Sequence, residues 1–200
     1  MVNITKFGKF KGSDKNKNKK QIILCNSFRP SLQYLNSLKY RKNGNFDKIP
    51  NYFITKDGKV LNLLNDYTFS NFFNNRDIDK NAIIISLENL GWLNKKPLSD
   101  KYVNWIGDIY SEDVLHKKWR DKLIWAKYTE EQMESLIELC KKLTKKFSIN
   151  NSFIGHNTKV EGVKIFNGIV TRSNYDINFT DLSPAFDFER FKKEIENERN

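Results

Sequence analysis

The chain has 200 residues, of which 38% are hydrophobic and 14% aromatic. This is too apolar for a disordered chain and long enough for one domain with a hydrophobic core. The 35 Lys and Arg residues outnumber the 24 Asp and Glu residues, and the net charge of +11 favours a polyanionic partner such as nucleic acid, anionic lipid or an acidic wall polymer. The most apolar run, at 82–87, is too short to cross a bilayer, and two cysteines cannot form a disulfide framework. A membrane protein and a secreted disulfide-rich domain are therefore excluded.

Residues 1–20 differ in composition from the rest of the chain. They carry seven lysines and a single acid, Asp14, with glycine and asparagine between them. This pattern predicts a mobile basic arm ahead of one domain over 21–198. Nothing near Met1 resembles a signal peptide, which predicts synthesis and retention in a cytoplasm unless another factor releases the protein.

The first half of the domain alternates strand and helix signals. The run at 21–25 is short, apolar and β-branched, as in a buried strand. An amphipathic stretch from Ser31 predicts a helix that ends before Asn43. Segments 51–55 and 59–62 predict two strands joined by a tight turn at Asp57–Gly58.

The second half contains the clearest helix and the least readable segment. Residues 82–87 predict a strand covered on both faces, and Thr129 to Gln132 form a capping-box pattern ahead of a long helix. Between them, residues 91–127 predict an ordered loop with a short helix around Glu112 to Trp119. Residues 152–155 predict a strand and 186–196 a terminal helix. Strands mixed with helices throughout predict a single α/β domain.

Three residues far apart in sequence carry side chains that suit a zinc ion: Cys25, His156 and Asp181. A thiolate, an imidazole and a carboxylate with one water make a catalytic zinc arrangement. Cys25 is also compatible with a buried apolar filler, so spacing alone leaves both interpretations open.

The order of motifs resembles the zinc-dependent N-acetylmuramoyl-L-alanine amidase type 2 family, which includes phage lysozyme-type amidases and peptidoglycan recognition proteins. The resemblance rests on six segments: Ile22–Ser27, Asn51–Gly58, Ile83–Glu88, Tyr128–Gln132, Ile154–His156 and Thr180–Asp187. It implies a central mixed β-sheet flanked by helices. The Trp-rich segment at 91–127 is then an insertion, as in phage or viral members.

The resemblance also implies roles for individual residues. His156 and Asp181 fall on the second and third zinc ligands, and Cys25 stands where the family has a histidine. Glu88 matches the acid that transfers protons from zinc-bound water to the leaving amine. The family's usual oxyanion helpers are missing, and Arg172 is the candidate replacement. Glu88 and Arg172 are also compatible with plain surface roles.

The predicted substrate is the lactyl–L-alanine amide of peptidoglycan, held in a groove lined by Asn26, Tyr52 and Trp92, although core packing also accounts for the tryptophans. The implied protein is a monomeric phage lysin. It waits in the host cytoplasm, or travels with the virion, and acts on the cell wall after release. The alternative is a peptidoglycan-binding module of the same fold with impaired catalysis. Specific nucleic-acid binding and membrane insertion are not expected, because no such motif accompanies the basic arm.

Overall fold

The computed structural model describes the backbone of Val2 and Asn3 and residues 16–197. Within these residues eleven strands lie in two sheets, and four α-helices pack around the first: α1 Ser31–Tyr40, α2 Arg76–Asn81, α3 Glu130–Phe147 and α4 Phe188–Glu196. The central sheet contains β1 Val2–Asn3, β2 Gln21–Asn26, β3 Tyr52–Ile54, β4 Val60–Asn62, β5 Ala82–Leu87 and β11 Gly168–Thr171. The second contains β6 Trp92–Lys95, β7 Tyr102–Val103, β8 Ile109–Tyr110, β9 Val114–Trp119 and β10 Lys122–Ala126.

The central sheet is mixed, with the order β1-β4-β3-β5-β2-β11. Strands β11, β2, β5 and β3 run parallel to their neighbours in this series, whereas β3 and β4 form the antiparallel hairpin that Asp57–Gly58 predicts. The predicted fold class, a mixed sheet flanked by helices, is confirmed. Parallel strands end at one edge of a sheet, so the residues that follow β2, β5 and β11 meet there.

Both faces of the central sheet are covered, because successive residues of β2 and β5 point to opposite sides. One face packs against α3 and α4, with Ile22, Leu24 and Leu136 fully buried. The other packs against α1 and α2. The capping box of α3 forms as predicted: Thr129 accepts from the Gln132 backbone, and the Gln132 side chain accepts from the Thr129 backbone.

The 91–127 segment is not the predicted loop with a short helix. Its five short strands form an antiparallel sheet in the order β8-β7-β6-β10-β9. The stretch predicted as a helix is mostly β9, which pairs with β10 across the turn at Arg120 and Asp121. The fully buried Trp125 packs against Trp119 with ring centroids 5.4 Å apart. Cross-strand packing of aromatic rings therefore stabilises the hairpin over a helix.

Residues 16–20, which the sequence analysis assigned to the mobile basic arm, are hydrogen-bonded to the domain. The Asn16 backbone donates to Tyr67, and the Lys20 backbone donates to Asn81. The buried Lys19 ammonium donates to the carbonyls of Lys80 and Ala82. Val2 and Asn3 pair with β4. Met1 and residues 4–15 of the predicted arm lie outside the described residues.

Two further differences concern single elements. The predicted strand at 152–155 is a single bridge between Phe153 and Ile169. Neither α2 nor β11 was predicted from the sequence. Within the described residues no helix is both long and apolar enough to span a membrane.

Candidate functional site

A cluster of polar residues occupies the edge where the parallel strands end. Asn26 is the last residue of β2, Glu88 follows β5 and Arg172 follows β11. Because β2 is hydrogen-bonded to both β5 and β11, the fold alone brings these positions together. Asp181 reaches the same cluster from the loop that precedes α4.

Asp181 is fully buried and both of its carboxylate oxygens are engaged. Oδ1 accepts a hydrogen bond from the Asn26 backbone N–H at 2.8 Å, and Oδ2 accepts from Arg172 Nε at 2.5 Å. The backbone carbonyl of Asp181 accepts from the Ser173 hydroxyl and backbone. A buried charge needs such compensation, and the carboxylate in turn fixes Arg172 relative to β2.

Arg172 lies among aromatic rings. Its guanidinium carbon is 4.2 Å from the ring centroid of Phe179, 5.7 Å from that of Phe28 and 6.0 Å from that of Phe72. Burial by itself would lower the pKa of the guanidinium, but the charge and hydrogen bond of Asp181 raise that pKa above its usual value. Arg172 is therefore a permanent cation at the end of the sheet.

Arg172 borders two adjoining cavities. The larger, of about 470 Å³, extends from Asn26 and Phe28 past α1 to Phe46. Its basic lining residues are Arg29, Arg41, Lys48 and Arg172. The smaller, of about 410 Å³, is bounded by Trp92 and Trp105 of the inserted segment. The two share Phe28, Trp105, Arg172 and Phe179, and together they form one groove, called here the Arg172 cleft.

Cys25 does not present a thiolate to this cleft. Its side chain is fully buried, and Sγ lies 3.6 Å from the carbonyl oxygen of Ile85. Burial raises the pKa of the thiol to about 12. A zinc ligand must be deprotonated, so this environment suits a buried apolar residue, the alternative that the sequence left open.

His156 is likewise not brought to Cys25 and Asp181 as a metal ligand. Its imidazole is exposed, with Nδ1 2.9 Å from the Thr158 hydroxyl. Its backbone carbonyl accepts a hydrogen bond from the Asn174 side chain. Over the described residues, no three His, Cys, Asp or Glu side chains are grouped to hold a metal ion. With Asp181 already neutralised by Arg172, the Cys25–His156–Asp181 set does not fit zinc in this arrangement.

Glu88 makes contacts that give it a structural role. Oε1 accepts from the Ser31 backbone at 2.8 Å, and Oε2 accepts from the Lys56 backbone at 2.9 Å and from the Ser31 hydroxyl. Ser31 is the first residue of α1, so the carboxylate caps the positive end of that helix. Its predicted role in proton transfer stays a prediction.

The three predicted substrate-binding residues lie in different environments. Asn26 and Trp92 line the Arg172 cleft. Tyr52 is only 3% exposed and its hydroxyl donates to Asp66, so its predicted place in the groove is wrong. The sequence analysis missed Tyr128, which donates to Asn26 Oδ1 at 2.9 Å. It also missed the cations on either side of α1: Arg29 before the helix, and Arg41 and Lys48 after it. No spacing marks those cations out among 35 basic residues.

Comparison with known proteins shows which family the chain belongs to. Residues 16–166 match the Amidase_2 family model, described as N-acetylmuramoyl-L-alanine amidase. The chain belongs to this amidase family. A comparison with curated protein sequences gives no significant match.

Solved structures of amidases share the fold at low sequence identity. The N-acetylmuramoyl-L-alanine amidase LysC from Clostridium intestinale URNW is 12% identical, with a TM-score of 0.57 over 98% of this chain and 97% of that one. AmiD from E. coli, in complex with anhydro-N-acetylmuramic acid-L-Ala-D-gamma-Glu-L-Lys, is 14% identical. Its TM-score is 0.58 over 91% of this chain and 59% of that one. The family match includes Cys25, Glu88 and His156 but ends before Arg172 and Asp181.

Proposed function

We propose that this chain acts on peptidoglycan, hydrolysing the amide between the lactyl group of N-acetylmuramic acid and L-alanine at the Arg172 cleft. The observation that carries the proposal is the family match over residues 16–166. The cleft supports it, because its aromatic side chains suit sugar rings and its cations suit an anionic stem peptide.

Arg172 is the residue best placed to assist the reaction. When a nucleophile attacks an amide, negative charge develops on the carbonyl oxygen, and a fixed cation beside that oxygen stabilises the transition state. Asp181 and the rings of Phe28 and Phe179 orient the guanidinium before substrate arrives. Because the predicted zinc ligands do not fit a metal in this arrangement, no step is assigned to zinc.

A second candidate function is binding of peptidoglycan without hydrolysis. Two observations favour it. Asp181 is already paired with Arg172, and the Glu88 carboxylate already accepts hydrogen bonds from Ser31 and Lys56. In this case the same cleft would hold the muramoyl peptide as a recognition module.

The setting that we propose is a lysin made in a host cytoplasm, or carried in a virion, that reaches the wall after release. A solved relative from Clostridium intestinale URNW, 12% identical, is named an endolysine amidase. Lysis of host cells that express this chain together with a membrane-permeabilising holin would support the setting. Lack of lysis despite active protein in the extract would contradict it.

Digestion of purified sacculi separates the two candidate functions. The chain is incubated with sacculi after chelation and again with added zinc, and new L-alanine amino termini are counted. Amidase activity predicts their release, and Arg172→Lys, which keeps the charge but loses the planar fork, reduces the rate. Co-sedimentation without new amino termini in either condition supports the binding module. If the chain neither releases amino termini nor co-sediments with sacculi, both candidate functions are contradicted.

A further inference from the structure

Asn26 lines the Arg172 cleft and carries a buried hydrogen-bond donor without a partner. Asn26 is 4% exposed, and its Oδ1 accepts from Tyr128 while its backbone N–H donates to Asp181. The Asn26 Nδ2 atom is buried and, within the described residues, has no hydrogen-bond partner. A buried donor left unsatisfied destabilises the chain, so an acceptor oxygen that reaches it from the cleft would recover stability.

Arg172 offers further donors in the same cleft. Nε donates to Asp181, and across residues 16–197 no acceptor is found for its two terminal nitrogens. Asp181 accepts from the Asn26 backbone and from Arg172, and so holds the two residues in a fixed relation. Donors fixed before a ligand arrives bind it with a smaller entropy loss.

The remaining charges of the cleft have one sign. Arg29, Arg41 and Lys48 line it together with Arg172, and among the described residues that line it none is acidic. Asp181 lies behind Arg172 and is already neutralised by it. A cleft of this kind attracts an anion and gives it donors at its inner end.

We infer that the Arg172 cleft is a carboxylate-binding site in which the Arg172 guanidinium and Asn26 Nδ2 bind the anionic oxygens, with Arg41 and Lys48 at the outer end. The inference rests on the proposed function, because the ligand is the stem peptide of peptidoglycan, which carries free carboxylates. A charged hydrogen bond from one terminal nitrogen of the guanidinium to a carboxylate oxygen is short and strong, and it leaves the other terminal nitrogen for the carbonyl oxygen of the scissile amide. Phe28, Phe46 and Phe72 line the same cleft and suit the apolar parts of a peptide. A protein cation thus binds the ligand where the family resemblance predicts a metal.

Calorimetric titration with a soluble N-acetylmuramoyl tripeptide tests the site. Arg41→Gln/Lys48→Gln is expected to weaken binding at least tenfold, and a ligand with amidated carboxylates is expected to bind the wild type at least tenfold more weakly. Lys142→Gln/Lys145→Gln removes the same charge from exposed positions of α3 outside the cleft and is expected to stay within twofold of wild type. Equal affinity for the two ligands, or no effect of the Arg41 and Lys48 changes, would overturn the inference.

The inner end of the site needs its own variant, because loss of Arg172 alone leaves Asp181 buried and unpaired. Arg172→Gln/Asp181→Asn removes both charges and is expected to abolish tripeptide binding while circular dichroism still reports a folded chain. Wild-type binding is expected to be unchanged by a chelator. Binding that needs added zinc, or that survives the double change, would overturn the inference. Binding of a glycerol phosphate oligomer instead of the tripeptide would also overturn it.

These outcomes are separate from those of the sacculus digestion. Tripeptide binding that depends on the cleft, without release of L-alanine amino termini, supports the carboxylate site and contradicts hydrolysis. Release of amino termini together with equal affinity for the carboxylated and amidated ligands supports hydrolysis and contradicts the carboxylate site.

Discussion

At the scale of single residues, the pair formed by Asp181 and Arg172 has the largest energetic consequence. Asp181 is fully buried and Arg172 is 18% exposed by its side chain, so removal of one partner leaves a charge with little access to water. Loss of one member of a buried pair typically costs about 3–5 kcal/mol. Loss of both costs less, because no isolated charge is left behind.

We therefore expect Arg172→Gln to lower the free energy of unfolding by about 3 kcal/mol or more. We expect Arg172→Gln/Asp181→Asn to lower it by clearly less than the sum of the two single changes. Urea denaturation of the four proteins in this double-mutant cycle measures both quantities. Additive losses would contradict the coupling.

The thiol of Cys25 gives a prediction that depends on pH. Its pKa is about 12 in the folded chain because of burial, against an ordinary value near 9. The folded state keeps its proton when the unfolded state releases it, so this contribution to stability is complete below pH 9 and is lost as pH rises toward 12. Cys25→Ala should make the decline of unfolding free energy above pH 9 shallower.

Alkylation checks the same environment directly. At pH 8.5 iodoacetamide should leave Cys25 unmodified in the native chain and modify it in urea. Rapid native modification would show an accessible thiolate, and with it the zinc-ligand assignment would return.

The sequence predicts which residues lie in the cluster better than it predicts which side chains they contact. Motif order predicts Asn26, Glu88 and Asp181 as site residues, Arg172 is a candidate only because the usual oxyanion helpers are missing, and all four lie where the parallel strands end. The sequence also predicts that Cys25 and His156 meet Asp181 at one metal ion, but among the described residues these side chains are not grouped in that way. Sequence order fixes which strand ends meet, but not that Asp181 pairs with a guanidinium nine residues earlier in the chain.

At the scale of elements, the start of α1 is stabilised by a residue from another strand. Glu88 accepts hydrogen bonds from the backbones of Ser31 and Lys56, so it joins α1, β5 and the turn after β3. A negative charge at a helix N-terminus contributes about 0.3–1 kcal/mol through the helix dipole, and a charged hydrogen bond contributes somewhat more.

We expect Glu88→Gln to lower the free energy of unfolding by about 1–2 kcal/mol, measured by urea denaturation. The same variant should leave tripeptide affinity nearly unchanged. If stability is unaffected while release of amino termini from sacculi is abolished, Glu88 acts in proton transfer and the predicted stabilisation of α1 is contradicted.

The connection between β5 and β6 depends on a glycine beside the cleft. Gly91 has a φ of +75°, and a Cβ atom there would lie 2.6 Å from Phe28. Gly91→Ala should therefore displace Phe28, weaken tripeptide binding severalfold and lower stability by about 1–3 kcal/mol. Gly107→Ala is the matched control, because its φ is +88° but nothing lies within 4 Å of the added carbon. Equal binding losses in the two variants would assign the effect to backbone strain.

Elements with one strong signal were predicted well, and those with weak signals were not. The apolar runs of β2 and β5 and the capping box of α3 formed as expected. Strands β6 to β10 have only two to six residues, and β6 and β9 carry exposed lysines, so the alternation of polar and apolar residues is short and weak. These strands form because they pair with one another, and the pairing of separate segments cannot be predicted from a short stretch of sequence.

At the scale of the whole molecule, the chain shares its fold with amidases at 12–14% identity, while the part of the chain that the structure describes does not group the expected metal ligands. The fold depends on apolar strands and on helix packing, which tolerate many sequences. The reaction depends on a few side chains at the edge of the sheet. The net charge of +11 favours association with an acidic wall polymer in either case.

A crystal structure of the chain grown with the N-acetylmuramoyl tripeptide and zinc present tests the central claim most directly. We predict a ligand carboxylate within about 3.2 Å of both Asn26 Nδ2 and a terminal nitrogen of Arg172, with the pairing between Arg172 and Asp181 intact. A zinc ion bound by Cys25, His156 and Asp181, with Arg172 turned away, would contradict the account.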